Sequence, residues 1–176
     1  MSDISAYGIS ATLPSGWDGR IFRRPAVSQR TASAAPQTQA APATPTTTEA
    51  VSPDGGTVHP VAHLASFPLP AVRGDYGSGA VEQMTTMDVL ICLLEFDPAS
   101  TGTDLFARRG IPRFRGRDFA PGTMQRTIAG MCGAQSFFSE SGRAFSAYVV
   151  LGSYQLRDTL APAVNVLLRS VQIDPL

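Results

Sequence analysis

Lysine is absent from this 176-residue chain: all fourteen basic residues are arginine, and they balance fourteen acidic residues to a formal net charge of zero. Without lysine there is no Schiff-base amine and no phosphate-binding ammonium of the P-loop kind. Balanced charge gives no global field toward nucleic acid, an anionic membrane or an acidic substrate, so a charge-driven partner must be met by a local cluster. The opening "MSDISAYGIS" has neither a basic region nor an apolar run, and no segment reaches bilayer-spanning length, which predicts a cytoplasmic protein. Cysteine is scarce too. In a reducing compartment Cys92 and Cys132 read as small buried apolar residues rather than a disulfide.

The two histidines, His59 and His63, fall in "HPVAH". On a helix this spacing could bind zinc, but Pro60 and the β-branched surroundings predict a strand, where residues four apart are separated by about 13 Å. They read as partly exposed strand histidines, and no metal site or cofactor is expected. No G-x-S-x-G elbow occurs, and "GDYGSGAVE" lacks the third glycine of a dinucleotide fingerprint. Glu95 and Asp97 are the nearest approach to paired carboxylates, and they read as the end of an apolar run emerging into solvent. No catalytic residue is assigned.

With 43% hydrophobic residues the chain can bury one core, and a single domain in three parts is expected. Residues 1–27 read as a β-hairpin: "AYGISATL" alternates Tyr7, Ile9, Ala11 and Leu13 against small polar residues, "PSG" turns the chain beside Trp17, and "GRIFRR" alternates again. Residues 28–58, rich in Ala, Pro and Thr, have too little apolar surface to offset ordering entropy and read as a flexible insertion. Residues 59–176 form the remainder. There "HPVAHLASFPL" predicts a strand ended by Pro68, and Met87–Phe96 a strand covered on both faces at the middle of the sheet. "TGTDLFARRGIP" predicts a short helix capped by Thr103, while "GTMQRTIAG" and "AQSFFSE" predict strands. Ser141 and Gly142 mark a hairpin turn before a strand over Ala144–Leu151. Leu160, Val164, Leu167 and Leu168 share one helical face, with Pro162 expected in the first turn, and "SVQIDP" predicts a last short strand.

These elements predict an α+β fold, a mostly antiparallel sheet flanked by helices, with a long disordered insertion after the N-terminal hairpin. The "P-x-G-W" turn, the antiparallel sheet and the amphipathic helix running into "SVQI" resemble the PsbP-like α/β/α sandwich superfamily, which includes actinobacterial proteins of the LpqN type. The resemblance covers residues 5–27 and 59–174, and it implies a protein that binds partners rather than one that catalyses. The chain departs from exported members by its lack of a leader and by the insertion.

The sharpest charge feature is "RRGIPRFRGR", with Arg108, Arg109, Arg113, Arg115 and Arg117 around Phe114. Guanidinium forks suit carboxylate or phosphate, and an interleaved aromatic could stack on a base. The bland reading, which the zero net charge favours for this stretch, is a solvated loop whose charges pair with Asp104, Asp118 and other acids. Arg23 and Arg24, leading into the insertion, are further candidates for an interaction edge. The leading expectation is a non-catalytic adaptor binding a protein partner or multi-protein assembly. The alternatives are a small-molecule module or enzyme using Cys132, His63 or Glu95 in a pocket, and nucleic-acid or phosphate binding through Arg108–Arg117, which is less favoured. Oligomeric state is not specified by the sequence.

Overall fold

The computed structural model describes residues 1–23 and 59–176. The insertion expected at 28–58 lies outside the described residues, as does Arg24. Among the described residues two antiparallel sheets, one α-helix and several 3-10 turns make up the regular structure, an α+β architecture in which strands dominate. The smaller sheet has the order β1-β2-β8, from Ser2–Ala6 (β1), Ile9–Leu13 (β2) and Gln172–Ile173 (β8). The larger has the order β3-β4-β5-β7-β6, from Asp18–Arg23 (β3), Pro60–Ala65 (β4), Val89–Glu95 (β5), Cys132–Glu140 (β6) and Arg143–Leu151 (β7).

The hairpin expected between "AYGISATL" and "GRIFRR" does not form. Strand β2 pairs with β1 and β8, whereas β3 pairs with β4, so "PSGW" is a corner at which the chain changes sheets. The N-terminal hairpin is instead β1–β2, turned at Tyr7 (φ 55°) and Gly8 (φ 71°). Positive φ at both central residues matches the twist of the flanking strands. The Ile9, Ala11, Leu13 face is buried as the alternation predicts, but Tyr7 sits in the turn, 47% exposed. Trp17 is half-buried against the main core at the corner.

Strand β5 occupies the middle of the larger sheet, and all seven of its residues are buried. Its continuous apolar run reflects cover on both faces. On one face, Ile91 and Leu93 pack with β2, β8 and the helix Arg157–Leu168 (α1), which contributes Leu160, Val164, Leu167 and Leu168. On the other, Leu90, Cys92 and Leu94 lie beneath irregular chain carrying Phe67, Val81, Met84, Met124 and Met131. Pro162 stands at the sixth helical position of α1 rather than in its first turn. Its exposed side lets water serve the carbonyl that a proline ring leaves without a donor.

The turn at Ser141 (φ 52°) and Gly142 (φ 76°) joins β6 to β7 as expected. "AQSFFSE" lies within β6, but the segment 122–130 forms turns rather than a strand. The helix expected over "TGTDLFARRGIP" shrinks to one 3-10 turn, Asp104–Phe106, and the Thr103 side chain makes no capping bond. The hydrogen bonds of this segment go elsewhere, to the free edge of β6. Among the described residues no helix is long and apolar enough to cross a membrane.

Candidate functional site

Strand β6 is an outer strand of the larger sheet, and its open side would present unpaired peptide groups. The segment from Arg108 to Ala120 fastens to that side at two points. Near one end, Ser139 N–H donates to Arg108 O (2.7 Å) and Gly110 N–H to Ser139 O (3.0 Å). Near the other, Ala120 and Gly133 exchange both of their N–H···O bonds, at 2.9 and 3.0 Å. Between these points Asn165 of α1 grips the segment: its Oδ1 accepts from Phe114 N–H (2.9 Å) and its Nδ2 donates to Phe114 O (2.7 Å). The Nδ2 also reaches Ala161 O (3.1 Å), which fixes the amide on its own helix.

This fastening sorts the side chains. Pro112, Phe114 and Gly116 face inward, while Arg108, Arg109, Arg113, Arg115 and Arg117 are exposed. Phe114 is 5% exposed and packs on Phe119, with ring centroids 5.8 Å apart, so it belongs to the core and is not the stacking platform that its setting among arginines suggested. Gly116 is required by close approach, because a Cβ at that position would run into the Asp158 carboxylate at the start of α1.

The five guanidiniums are solvated, as the bland reading expects, but they form no ion pair with Asp104, Asp118 or other acids among the described residues. Asp118, the nearest acid in sequence, is engaged with backbone: its Oδ2 accepts from Arg115 N–H at 2.7 Å. Arg108, Arg113, Arg115 and Arg117 border a concavity of about 600 Å³ that Ile111, Phe114, Asn165 and the single acid Asp118 also line. Four cations and one acid around one hollow, on backbone held at three points, leave a local excess of positive charge that favours an anionic group.

Arg23 does not join them. It ends β3, at the opposite edge of the five-stranded sheet, and its guanidinium lies over the Tyr7 ring at 4.5 Å. The residues weighed for a catalytic pocket are also kept apart. Cys132 and Glu95 face the helix side of the sheet, but Cys132 aligns with Val89, six register positions and about 20 Å along the strands from Glu95. His63 faces the opposite side. Burial pushes the Cys132 thiol up to about 11 and raises Cys92 further, which disfavours a thiolate at either. Among the described residues no three His, Cys, Asp or Glu side chains gather in a way that could hold a metal ion.

No family model, curated protein or solved structure matches the chain. The site therefore rests on its own geometry.

Two buried polar clusters escaped the sequence reading. His63 is fully buried rather than partly exposed: Arg73 Nε donates to its Nδ1 (2.9 Å), which leaves Nε2–H to donate to Asp75 O (2.7 Å). Burial is the main cause that lowers this imidazole to about 4, the bond to the Asp75 carbonyl works against it, and the Arg73 charge lowers it further. Glu95 does not emerge into solvent but is 3% exposed against Arg143, itself 2% exposed. The pair is bidentate, with Nε to Oε1 at 2.8 Å and Nη2 to Oε2 at 2.7 Å. The remaining Arg143 donors reach Tyr7 O, Gly8 O and Asp174 O, so all five guanidinium N–H groups are satisfied. One side chain thus bolts the β1–β2 turn and the end of β8 onto the larger sheet. The two partners stand 48 positions apart, and that separation hid the pair.

Proposed function

We propose that the protein is a non-catalytic interaction module, an adaptor that captures an acidic surface of a partner protein in the arginine-lined hollow. The observation that carries this reading is the set of exposed guanidiniums that have no acid partner among the described residues, presented on a segment that Asn165 and the β6 edge hold in place. A backbone already held in place has little entropy left to lose on binding, although each arginine side chain must still be ordered, and exposed charges steer an oppositely charged partner. Arg23 and Arg24 remain proposed contributors to a second edge.

The PsbP-like reading of the fold stands beside this as a proposal. An antiparallel five-stranded sheet with α1 on one face, running directly into β8, supports it. Among the described residues the other face carries irregular chain rather than a helix.

The test is replacement of Arg108, Arg109, Arg113, Arg115 and Arg117 by Ala. These side chains are exposed, so thermal unfolding should shift little, whereas a partner co-purified from the host, identified and reconstituted from pure components, should bind at least tenfold more weakly. Undiminished binding would remove the hollow from the interaction. A preference for nucleic acid would show as affinity for an oligonucleotide that falls steeply with salt and exceeds that for the protein partner.

A further inference from the structure

On the face of the larger sheet away from α1, Arg73 reaches from irregular chain to His63, a fully buried residue of β4, and donates through Nε to its Nδ1 (2.9 Å). A guanidinium cannot accept, so Nδ1 keeps its lone pair, and the ring proton sits on Nε2, which donates to Asp75 O (2.7 Å). Both ring nitrogens thus bind one segment. Arg73 is held further by Pro70 O, to which its Nη1 donates (2.7 Å), and by the Phe22 ring, whose centroid is 5.2 Å from the guanidinium carbon. Phe22 in turn meets the His63 ring edge-on, with centroids 5.1 Å apart.

The segment so held, from Pro70 to Gly79, covers part of the core. Its turns are tied to one another, Gly77 N–H to Gly74 O (2.8 Å) and Gly74 N–H to Ser78 O (2.9 Å), so it can move as a unit. Gly77 lies directly on β5: a Cβ there would run into Leu90 Cδ2 and come within 3.4 Å of Cys92 Sγ. Cys132, by contrast, belongs to the core on the helix side of the sheet. The two cysteines therefore report on opposite faces.

We propose that the contact of Arg73 with His63 is a proton-sensitive latch: when Nδ1 takes a proton from solvent, the segment from Pro70 to Gly79 lifts from β5 while both sheets stay folded, and the Cys92 face meets water. A second N–H on the ring would point at the Arg73 Nε–H, donor against donor and cation against cation, so the contact cannot persist. Around the ring stand Arg73, Asp75 and Tyr76 of the segment, Arg20 and Asp18 of β3, Cys92 of β5 and Tyr148 of β7. Asp75 offers the ring its peptide carbonyl, and the Asp18 carboxylate is engaged by Gly19 N–H, Leu69 N–H and Arg20. Burial, and then the Arg73 charge, hold the closed ring down to about 4 against the pull of the Asp75 carbonyl, and opening relieves both.

The experiment is labelling of the native full chain with 4,4′-dithiodipyridine, a disulfide reagent that stays reactive in acid. Cys92 and Cys132 are counted separately by peptide mass, and each rate is divided by that of glutathione at the same pH. Between pH 7 and pH 5 the relative rate at Cys92 should rise about twentyfold, the ratio set by a ring at about 4 when closed and 6.5 when open. Cys132 should stay protected. His63→Gln cannot take up the proton, so its Cys92 should label at the same relative rate at both pH values. Unchanged protection of Cys92 at pH 5 would overturn the latch, and so would equal labelling of both cysteines, which is unfolding of the whole chain. An acid-induced rise that survives in His63→Gln would assign the opening to another group and overturn it as well. Because the comparison of the two cysteines uses the unaltered chain, it decides the matter even where the variant does not fold.

Discussion

Arg143 and Glu95 show how much one buried pair can decide. Desolvating two charges is expensive, and the cost is offset only when every donor and acceptor finds a partner. Arg143 meets that condition through Glu95 and three backbone carbonyls. Arg143→Met should therefore lower the unfolding free energy by about 3–5 kcal/mol, because it takes the bidentate guanidinium from the buried Glu95 carboxylate. Adding Glu95→Met should restore part of the loss, and urea titration of the two single variants and the double variant measures the coupling; additive losses would show that the pair acts independently. His63 offers a second test, in pH. Its folded value of about 4 lies below the usual 6.5, so below 6.5 the unfolded chain takes up a proton that the folded chain refuses. The contribution of His63 is complete above pH 6.5 and fades as pH falls toward 4, by about 2 kcal/mol at pH 5. His63→Gln should flatten the decline in stability between pH 6.5 and 5, and an unchanged slope would assign the acid sensitivity elsewhere.

At the scale of elements, the deciding contacts of the arginine segment come from α1. Asn165 interrupts an apolar stretch, Val164 and Val166 through Leu168, and a polar residue in that position was a readable sign of a buried partner. Its partner was not readable, because Phe114 lies 51 positions away. Asn165→Ala should destabilise the protein by about 2 kcal/mol by removing three part-buried hydrogen bonds, two of them to Phe114. It should also loosen the segment, and faster amide exchange at Phe114 with little change in β5 would show this. The elements that sequence did predict, β5, the β6–β7 turn, the apolar face of α1 and the terminal strand, rest on local patterns: a continuous apolar run, a turn dipeptide, a 3.6-residue period. Those it missed depend on distant partners. "GRIFRR" alternates whether it pairs with β2 or with β4, and nothing in residues 18–23 says which. "TGTDLFARRG" carries helix signals, but the β6 edge claims its peptide groups. Phe114 looked available because its neighbours are arginines, yet the backbone alternates it inward.

At the scale of the whole molecule, the two sheets share one core and are joined by Trp17 at the corner, Arg143 and α1. They should unfold together. Trp17 fluorescence, which reports the junction, and far-ultraviolet circular dichroism, which reports the strands, should give coincident transitions in urea. Two separated midpoints would mean that the smaller sheet opens independently. The arginine hollow lies on the outer edge of this unit, on a segment attached to both β6 and α1, so the loss of either support should be felt at the site.

The way the smaller sheet is assembled bears on how the protein is made. Strand β2 is flanked by β1, next to it in sequence, and by β8, and Thr12 exchanges bonds with the Ser170 hydroxyl across 158 positions. Long-range pairings of this kind form late, since the entropy of loop closure precedes any reward. During synthesis the β1–β2 hairpin must wait, with its Ile9, Ala11 and Leu13 face uncovered until the larger sheet and α1 are made and its β2 edge unpaired until residues 172–173 have left the ribosome. Ribosomes stalled before residue 170 should therefore carry a hairpin still open to protease.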